Sequence, residues 1–107
     1  YEEGYYDCSS LVQRLYQEVG ISLPAIASTQ GEFMVTHGLE VTEGELEPGD
    51  LIFYSYEQNG QFRNISHVAI YVGNGRMVHA ANSRRGVVND PFNPSNIGLY
   101  GRPSRLQ

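Results

Sequence analysis

Two short apolar runs around a glycine-rich turn restrict the fold of this chain more than any other feature. His67-Val68-Ala69-Ile70-Tyr71-Val72 and Met77-Val78-His79-Ala80-Ala81 flank Gly73-Asn74-Gly75, the pattern of a β-hairpin. Side chains alternate between faces along a strand, and residues paired across strands share a face, so register decides which side chains meet. A two-residue Asn74-Gly75 loop pairs Ile70 with His79 and puts His67 and His79 on opposite faces. A three-residue loop over 73–75 pairs Ile70 with Val78 and Ala69 with His79, so that Val68, Ile70 and Val78 share a core face. The apolar pattern predicts this second register. In it His67 and His79 are diagonal neighbours, with Cβ atoms somewhat under ~7–8 Å apart, within reach of a hydrogen bond between the rings.

The rest of the chain reads as helix, then sheet. Leu11, Val12, Leu15, Tyr16 and Val19 form one helical stripe, with Asp7 as N-cap and Gly20 closing the helix. Pro24 breaks the chain, and a short helix is expected around 28–35. After a polar stretch, Pro48-Gly49-Asp50 reads as a turn and Leu51-Ile52-Phe53-Tyr54 as a buried strand. Residues 58–64 read as a polar loop, and the Pro- and Asn-rich tail from Pro91 carries one last short strand near Leu99-Tyr100. One helix followed by an antiparallel meander is an α+β layout. At 107 residues the chain suits one domain, 1–107, with a single core. It opens at Tyr1 without an apolar leader, the expectation for a domain excised from a longer protein.

Composition excludes several classes. Twelve carboxylates against seven arginines and no lysine give a net charge of −5, a poor surface for nucleic acid. No apolar run approaches the ~18 residues of a membrane span. The acidic residues Glu40, Glu43, Glu45 and Glu47 read as a solvated face. A single cysteine rules out an internal disulfide framework, leaving Cys8 as a buried small residue or a reactive thiol.

Cys8 follows the N-cap, in the first turn of its helix, where free N–H groups and the helix dipole favour a thiolate. An ordinary thiol is only a few per cent ionised at neutral pH, so a nucleophilic Cys8 needs a base and a group to orient that base. His67 and His79, on one strand face, can fill those roles. The bland alternatives are a buried cysteine and two ordinary strand histidines. His37, in the irregular middle stretch, reads as ordinary surface. No carboxylate or second cysteine stands at ligand spacing beside the three residues, which argues against a metal, and no cofactor is implied.

Asp7-Cys8-Ser9-Ser10-Leu11-Val12, the Leu23-Pro24 to Gln30 segment, Pro48-Gly49-Asp50-Leu51-Ile52-Phe53, His67 to Gly73 and Val78-His79-Ala80 together resemble the NlpC-type cell-wall cysteine peptidases. These motifs occur in family order and cover nearly the whole chain. The resemblance implies a papain-like fold, with the Cys-bearing helix packed on an antiparallel sheet that carries both histidines. It implies Cys8 as nucleophile, His67 as general base and His79 as the residue that orients His67. The implied substrate is a peptidoglycan stem peptide, cut between the γ-carboxyl of D-glutamate and the diamino acid. It further implies a secreted bacterial protein at the cell wall, acting as a monomer without membrane insertion.

Asp7 and Ser9 match positions that in family members recognise the free amine of an N-terminal L-Ala, while also reading as a helix cap and a first-turn filler. The family usually has a tyrosine segment upstream of the cysteine. Here Tyr1, Tyr5 and Tyr6 are available, and Tyr6 joins Asp7 and Ser9 as a substrate-binding candidate. Two departures stand out: Ser10 replaces the usual glycine, which is expected to narrow the approach to the thiol, and Ala25 replaces a common arginine. An amidase or acyltransferase on the same scaffold, or a catalytically silent wall-binding module, are the rival functions.

Overall fold

The computed structural model describes residues 7–82 and 84–106. Helix α1 spans Cys8–Gln17 and α2 spans Ala27–Thr36. The strands are β1 (Glu40–Val41), β2 (Leu51–Tyr54), β3 (His67–Gly73), β4 (Arg76–Asn82), β5 (Gly86–Pro91) and β6 (Ile97–Gly101). They form a six-stranded sheet in the order β1-β6-β2-β3-β4-β5, antiparallel at every pairing. Strands β2 to β5 are the expected meander, extended by one strand, and β6 returns to close the other side of β2.

Alternation along β2 sorts the core into two layers. Leu51 and Phe53 join Val68, Ile70 and Leu99 beneath Val12 of α1 and Ala27 and Met34 of α2. Ile52 and Tyr54 face the opposite way, with Ala69, Met77 and Tyr100, under Leu46, Phe92 and Ile97. All four β2 side chains are fully buried, which is why this segment reads as a continuous apolar run. The closeness of α2 to the sheet depends on two glycines. A Cβ on Gly31 would lie 2.6 Å from Ile65 Cδ1, and one on Gly101 would lie 2.4 Å from Met34 Cγ.

The β3–β4 hairpin has the expected register by a different device. Ile70 pairs with Val78 and Tyr71 with Met77, but Gly73 then pairs with Arg76. The loop is therefore the two residues Asn74 and Gly75, both at positive φ (54° and 70°), the geometry that suits a right-twisted hairpin. Val72 is the extra residue of a β-bulge. Turn and bulge together give the offset that the sequence assigned to a three-residue loop.

One boundary and two strands differ from expectation. α1 ends at Gln17, not at Gly20, because the Gly20 amide already bonds the Gln17 carbonyl in a tighter turn and Gly20 adopts φ 86°. β1 is only two residues long, set by pairing with β6. β5 was missed: its Asn and Asp disfavour a strand locally, and the pairing with β4 supplies the stabilisation instead.

Candidate active site

The helix start is built by local hydrogen bonds. Asp7 Oδ1 accepts from the Ser10 backbone N–H at 2.8 Å and from the Ser9 hydroxyl at 3.3 Å. The Ser10 hydroxyl in turn accepts from the Asp7 backbone N–H at 3.0 Å, completing a capping box. Partial burial opposes ionisation of Asp7, but the Ser10 backbone N–H and the two serine hydroxyls hold its carboxyl below the usual range. The hydroxyl expected to narrow the approach to the thiol is instead turned back onto Asp7. Asp7 is exposed and Ser9 buried, and Tyr6 lies outside the described residues.

Gln30 explains why the Leu-Pro to Gln segment belongs to the site. Its fully buried side-chain amide donates to the Ser9 carbonyl at 3.0 Å and to the Pro24 carbonyl at 2.9 Å, tying α2 to the first turn of α1.

Cys8 is the first residue of α1 and half-buried against the helix-side core. The backbone N–H of Val68, the residue after His67, is close enough to the Cys8 sulfur to favour the thiolate. The thiol thus lies at the start of β3. The helix position favours a thiolate, and the surroundings oppose this. Burial pushes the Cys8 thiol up and the nearby Asp7 charge adds to it, against the opposing N–H groups of Val68 and Ser9.

His67 Nε2 and His79 Nδ1 are 2.7 Å apart, with the two rings edge to face. Burial, and then the neighbouring His79, push His67 down to about 4. His67 is therefore a neutral imidazole at pH 7, able to accept a proton. His37 is exposed and packs its ring on Phe33 at the end of α2, far along the chain from the pair.

Two features of the site were not anticipated. The first is a carboxylate beside the histidines, contrary to the sequence reading: His79 Nε2 lies 2.8 Å from Asp90 Oδ2. Asp90 is also gripped by Arg85 through Nη1 to Oδ2 at 3.0 Å and Nη2 to Oδ1 at 2.9 Å. The signal was present in Val87-Val88 after Arg84-Arg85-Gly86, which is a turn followed by a β-branched start. The second is Tyr56, whose ring stacks on Tyr54 at 5.4 Å and lies 6.1 Å from the His67 ring. Burial and then the charge of Cys8 push the Tyr56 phenol up, so it remains a hydrogen-bond donor beside the thiol. Its loop position hid it, since nothing local marks Tyr56 as facing β3. Among the described residues, no group of three or more His, Cys, Asp or Glu side chains is arranged to hold a metal ion.

A helix bearing a cysteine at its first turn, packed on an antiparallel sheet with a histidine pair at its end, defines a papain-like α+β domain. The model of the NlpC/P60 family matches residues 2–98, and the chain belongs to that family. It is 33% identical over 101 residues to the gamma-D-glutamyl-L-lysine dipeptidyl-peptidase of Bacillus cereus, covering 94% of this chain and 28% of that protein. It is 37% identical over 90 residues to the peptidoglycan DL-endopeptidase CwlO of Bacillus licheniformis, covering 83% of this chain and 18% of that one. The chain thus spans less than a third of either relative. Among solved structures, an NlpC/P60 family protein from Bacillus cereus superposes with a TM-score of 0.76 at 29% identity, covering 92% of this chain and 32% of that one. RipD from Mycobacterium tuberculosis, described as a non-catalytic NlpC/P60 domain protein adapted to peptidoglycan binding, gives 0.73 at 26% identity, covering 91% and 66%.

Proposed function

We propose that the chain is the catalytic domain of a cysteine endopeptidase that hydrolyses peptidoglycan stem peptides at the cell wall, at the bond between γ-D-glutamate and the diamino acid. The observation that carries this reading is the 2.7 Å contact of His67 with His79 at the strand start where the Cys8 sulfur lies. The relatives named for γ-D-glutamyl-L-lysine and DL-endopeptidase activity support the choice of bond.

Because His67 commits Nε2 to His79, its other nitrogen, Nδ1, is the one free for the thiol proton. Thiol and imidazole both resist charging in their surroundings, so proton transfer accompanies attack rather than preceding it. The sulfur adds to the amide carbonyl as Nδ1 takes its proton. The backbone N–H of Cys8 and a nearby donor stabilise the oxyanion, with the Tyr56 hydroxyl a candidate for the second. The imidazolium then protonates the leaving amine, and water, deprotonated by His67, releases the acyl group from the sulfur. Asp7 and Ser9 flank the scissile bond on the glutamyl side, where the exposed Asp7 carboxylate attracts a free stem amine.

The test is a muropeptide digest read by mass spectrometry, with Cys8→Ala and His67→Ala as controls. Products ending in D-glutamate, with a new amine on the diamino acid, are expected from the parent and from neither variant. Intact stems with free L-Ala amines would indicate an amidase. Binding to sacculi without release of fragments would place the chain with RipD among silent wall-binding modules.

A further inference from the structure

Asp90 lies outside the cysteine and histidine pattern, yet the register carries it to the end of the histidine chain. His79 pairs with Val88 and Met77 with Asp90, so Asp90 is the diagonal neighbour of His79 on the same face. His67 stands in the same diagonal relation to His79 from the other side. The three side chains therefore cross β3, β4 and β5 in one line, with contacts of 2.7 Å and 2.8 Å. Arg85, from the β4–β5 turn, closes the line with a bidentate grip on both carboxylate oxygens.

We propose that Asp90, held by Arg85, is a positioning residue that sets the tautomer of His79, and thereby which nitrogen of His67 faces the Cys8 thiol with a free lone pair. The inference rests on the Cys-His reading above. An ionised carboxylate only accepts hydrogen bonds, so Nε2 of His79 must carry a hydrogen. A neutral imidazole has one such hydrogen, so Nδ1 of His79 is an acceptor and Nε2 of His67 must donate to it. The hydrogen of His67 is then fixed on Nε2, and Nδ1 is bare.

Without the carboxylate the same two rings and the same 2.7 Å contact admit the opposite order. His79 would carry its hydrogen on Nδ1, Nε2 of His67 would accept, and the His67 hydrogen would sit on Nδ1, toward the sulfur. That arrangement cannot take the thiol proton. Arg85 and then His79 hold the Asp90 carboxyl well below the usual carboxylate range, so the acceptor-only form persists across the working pH range. The guanidinium fork also keeps Asp90 from turning away, because each oxygen has its own N–H.

The experiment labels the histidine rings with nitrogen-15 in the full chain and reads the tautomers of His67 and His79 by long-range proton–nitrogen correlation at pH 7. Cys8 alkylation by iodoacetamide is followed in parallel. The parent is expected to show both rings protonated on Nε2. In Asp90→Asn, which keeps the shape but can donate as well as accept, and in Asp90→Ala, the His79 signals should move toward a tautomer mixture. Alkylation should slow by ~10-fold or more, in the range seen when the outer partner of a functional histidine is lost. Arg85→Lys should retain most of the parent tautomer. If both Asp90 variants keep His79 wholly protonated on Nε2, Asp90 is only a staple of the β4–β5 hairpin and the proposal falls. A tautomer mixture with undiminished alkylation overturns it as well. Alkylation of the parent that is indifferent to His67→Ala is a different result, overturning the Cys-His reading itself.

Discussion

Two aspartates in this domain are each gripped by an arginine fork, and they serve opposite ends. Asp50 lies at the head of β2 with 2% of its side chain exposed, and Arg102 reaches it with Nε to Oδ1 at 2.8 Å and Nη2 to Oδ2 at 2.9 Å. Asp50 Oδ2 also accepts the Glu47 backbone N–H at 2.8 Å, closing the turn before β2. Asp90 and Arg85 have the same fork on a more open site, with side chains 23% and 49% exposed. The Asp50 pair joins two segments 52 residues apart in the chain and is sealed from water. The Asp90 pair joins residues five apart, and its remaining contact is an imidazole. Similar chemistry therefore supports the fold in one place and the histidine chain in the other, and burial decides which.

Removing one member from each pair is the sharpest way to break that comparison. The largest stability loss is expected from Asp50→Ala, which removes the buried carboxylate that takes the Arg102 fork and leaves the guanidinium only the exposed Glu47 at 3.5 Å and the Glu45 carbonyl: about 3 kcal/mol. Urea denaturation would read it as a lower midpoint at unchanged slope, and turnover per folded molecule should stay near the parent value. If Asp50→Ala is as stable as the parent, this pair does not hold the turn. Next comes Gly101→Ala, where the new methyl meets Met34. A cost of ~1–3 kcal/mol is expected from overpacking, again read by denaturation. Asp90→Ala should reverse the pattern, losing little stability because its pair is partly open to solvent, while turnover falls ~10-fold or more. Equal losses of stability in Asp50→Ala and Asp90→Ala would erase the distinction.

The smallest effects are those of pH. His67 is held down to about 4 by burial and His79, so it remains an unprotonated base through mild acid. The acid limb of kcat/KM is therefore expected near pH 4, and a limb at the ordinary histidine value near 6.5 would show His67 to be exposed or not the base. The sign for stability follows from the same depression. Unfolded His67 takes up a proton near 6.5 while the folded ring does not until about 4, so the stability it contributes declines as pH falls across that window.

The end of the site made by α1 was legible because its determinants are neighbours in sequence. Asp7, Cys8 and Ser10 lie within one turn, and a cap followed by an apolar stripe identifies a helix start without knowledge of the rest. The histidine pair was legible for a less local reason: the apolar residues of two adjacent strands admit one register, and that register brings the rings together. It did not matter that the structure reaches the offset by a bulge at Val72 rather than a longer loop. Tyr56 and Asp90 were harder to read, since one sits in a loop and the other on a strand whose local signal is only Val87-Val88 and whose place beside His79 is set by pairing with β4.

The helix and its cap, the meander from β2 to β4, and the face the histidines share were therefore readable from the order of residues alone. Each follows from periodicity and turn chemistry acting over a few residues. The shift of the thiol away from ionisation and the identity of the group behind His79 come instead from packing across the whole fold. Burial opposes the ionisation that the helix start favours, and a third strand, placed by long-range pairing, carries the Asp90 carboxylate to the imidazole. Desolvation and diagonal contacts depend on what packs against a residue from far along the chain, and no local pattern contains that.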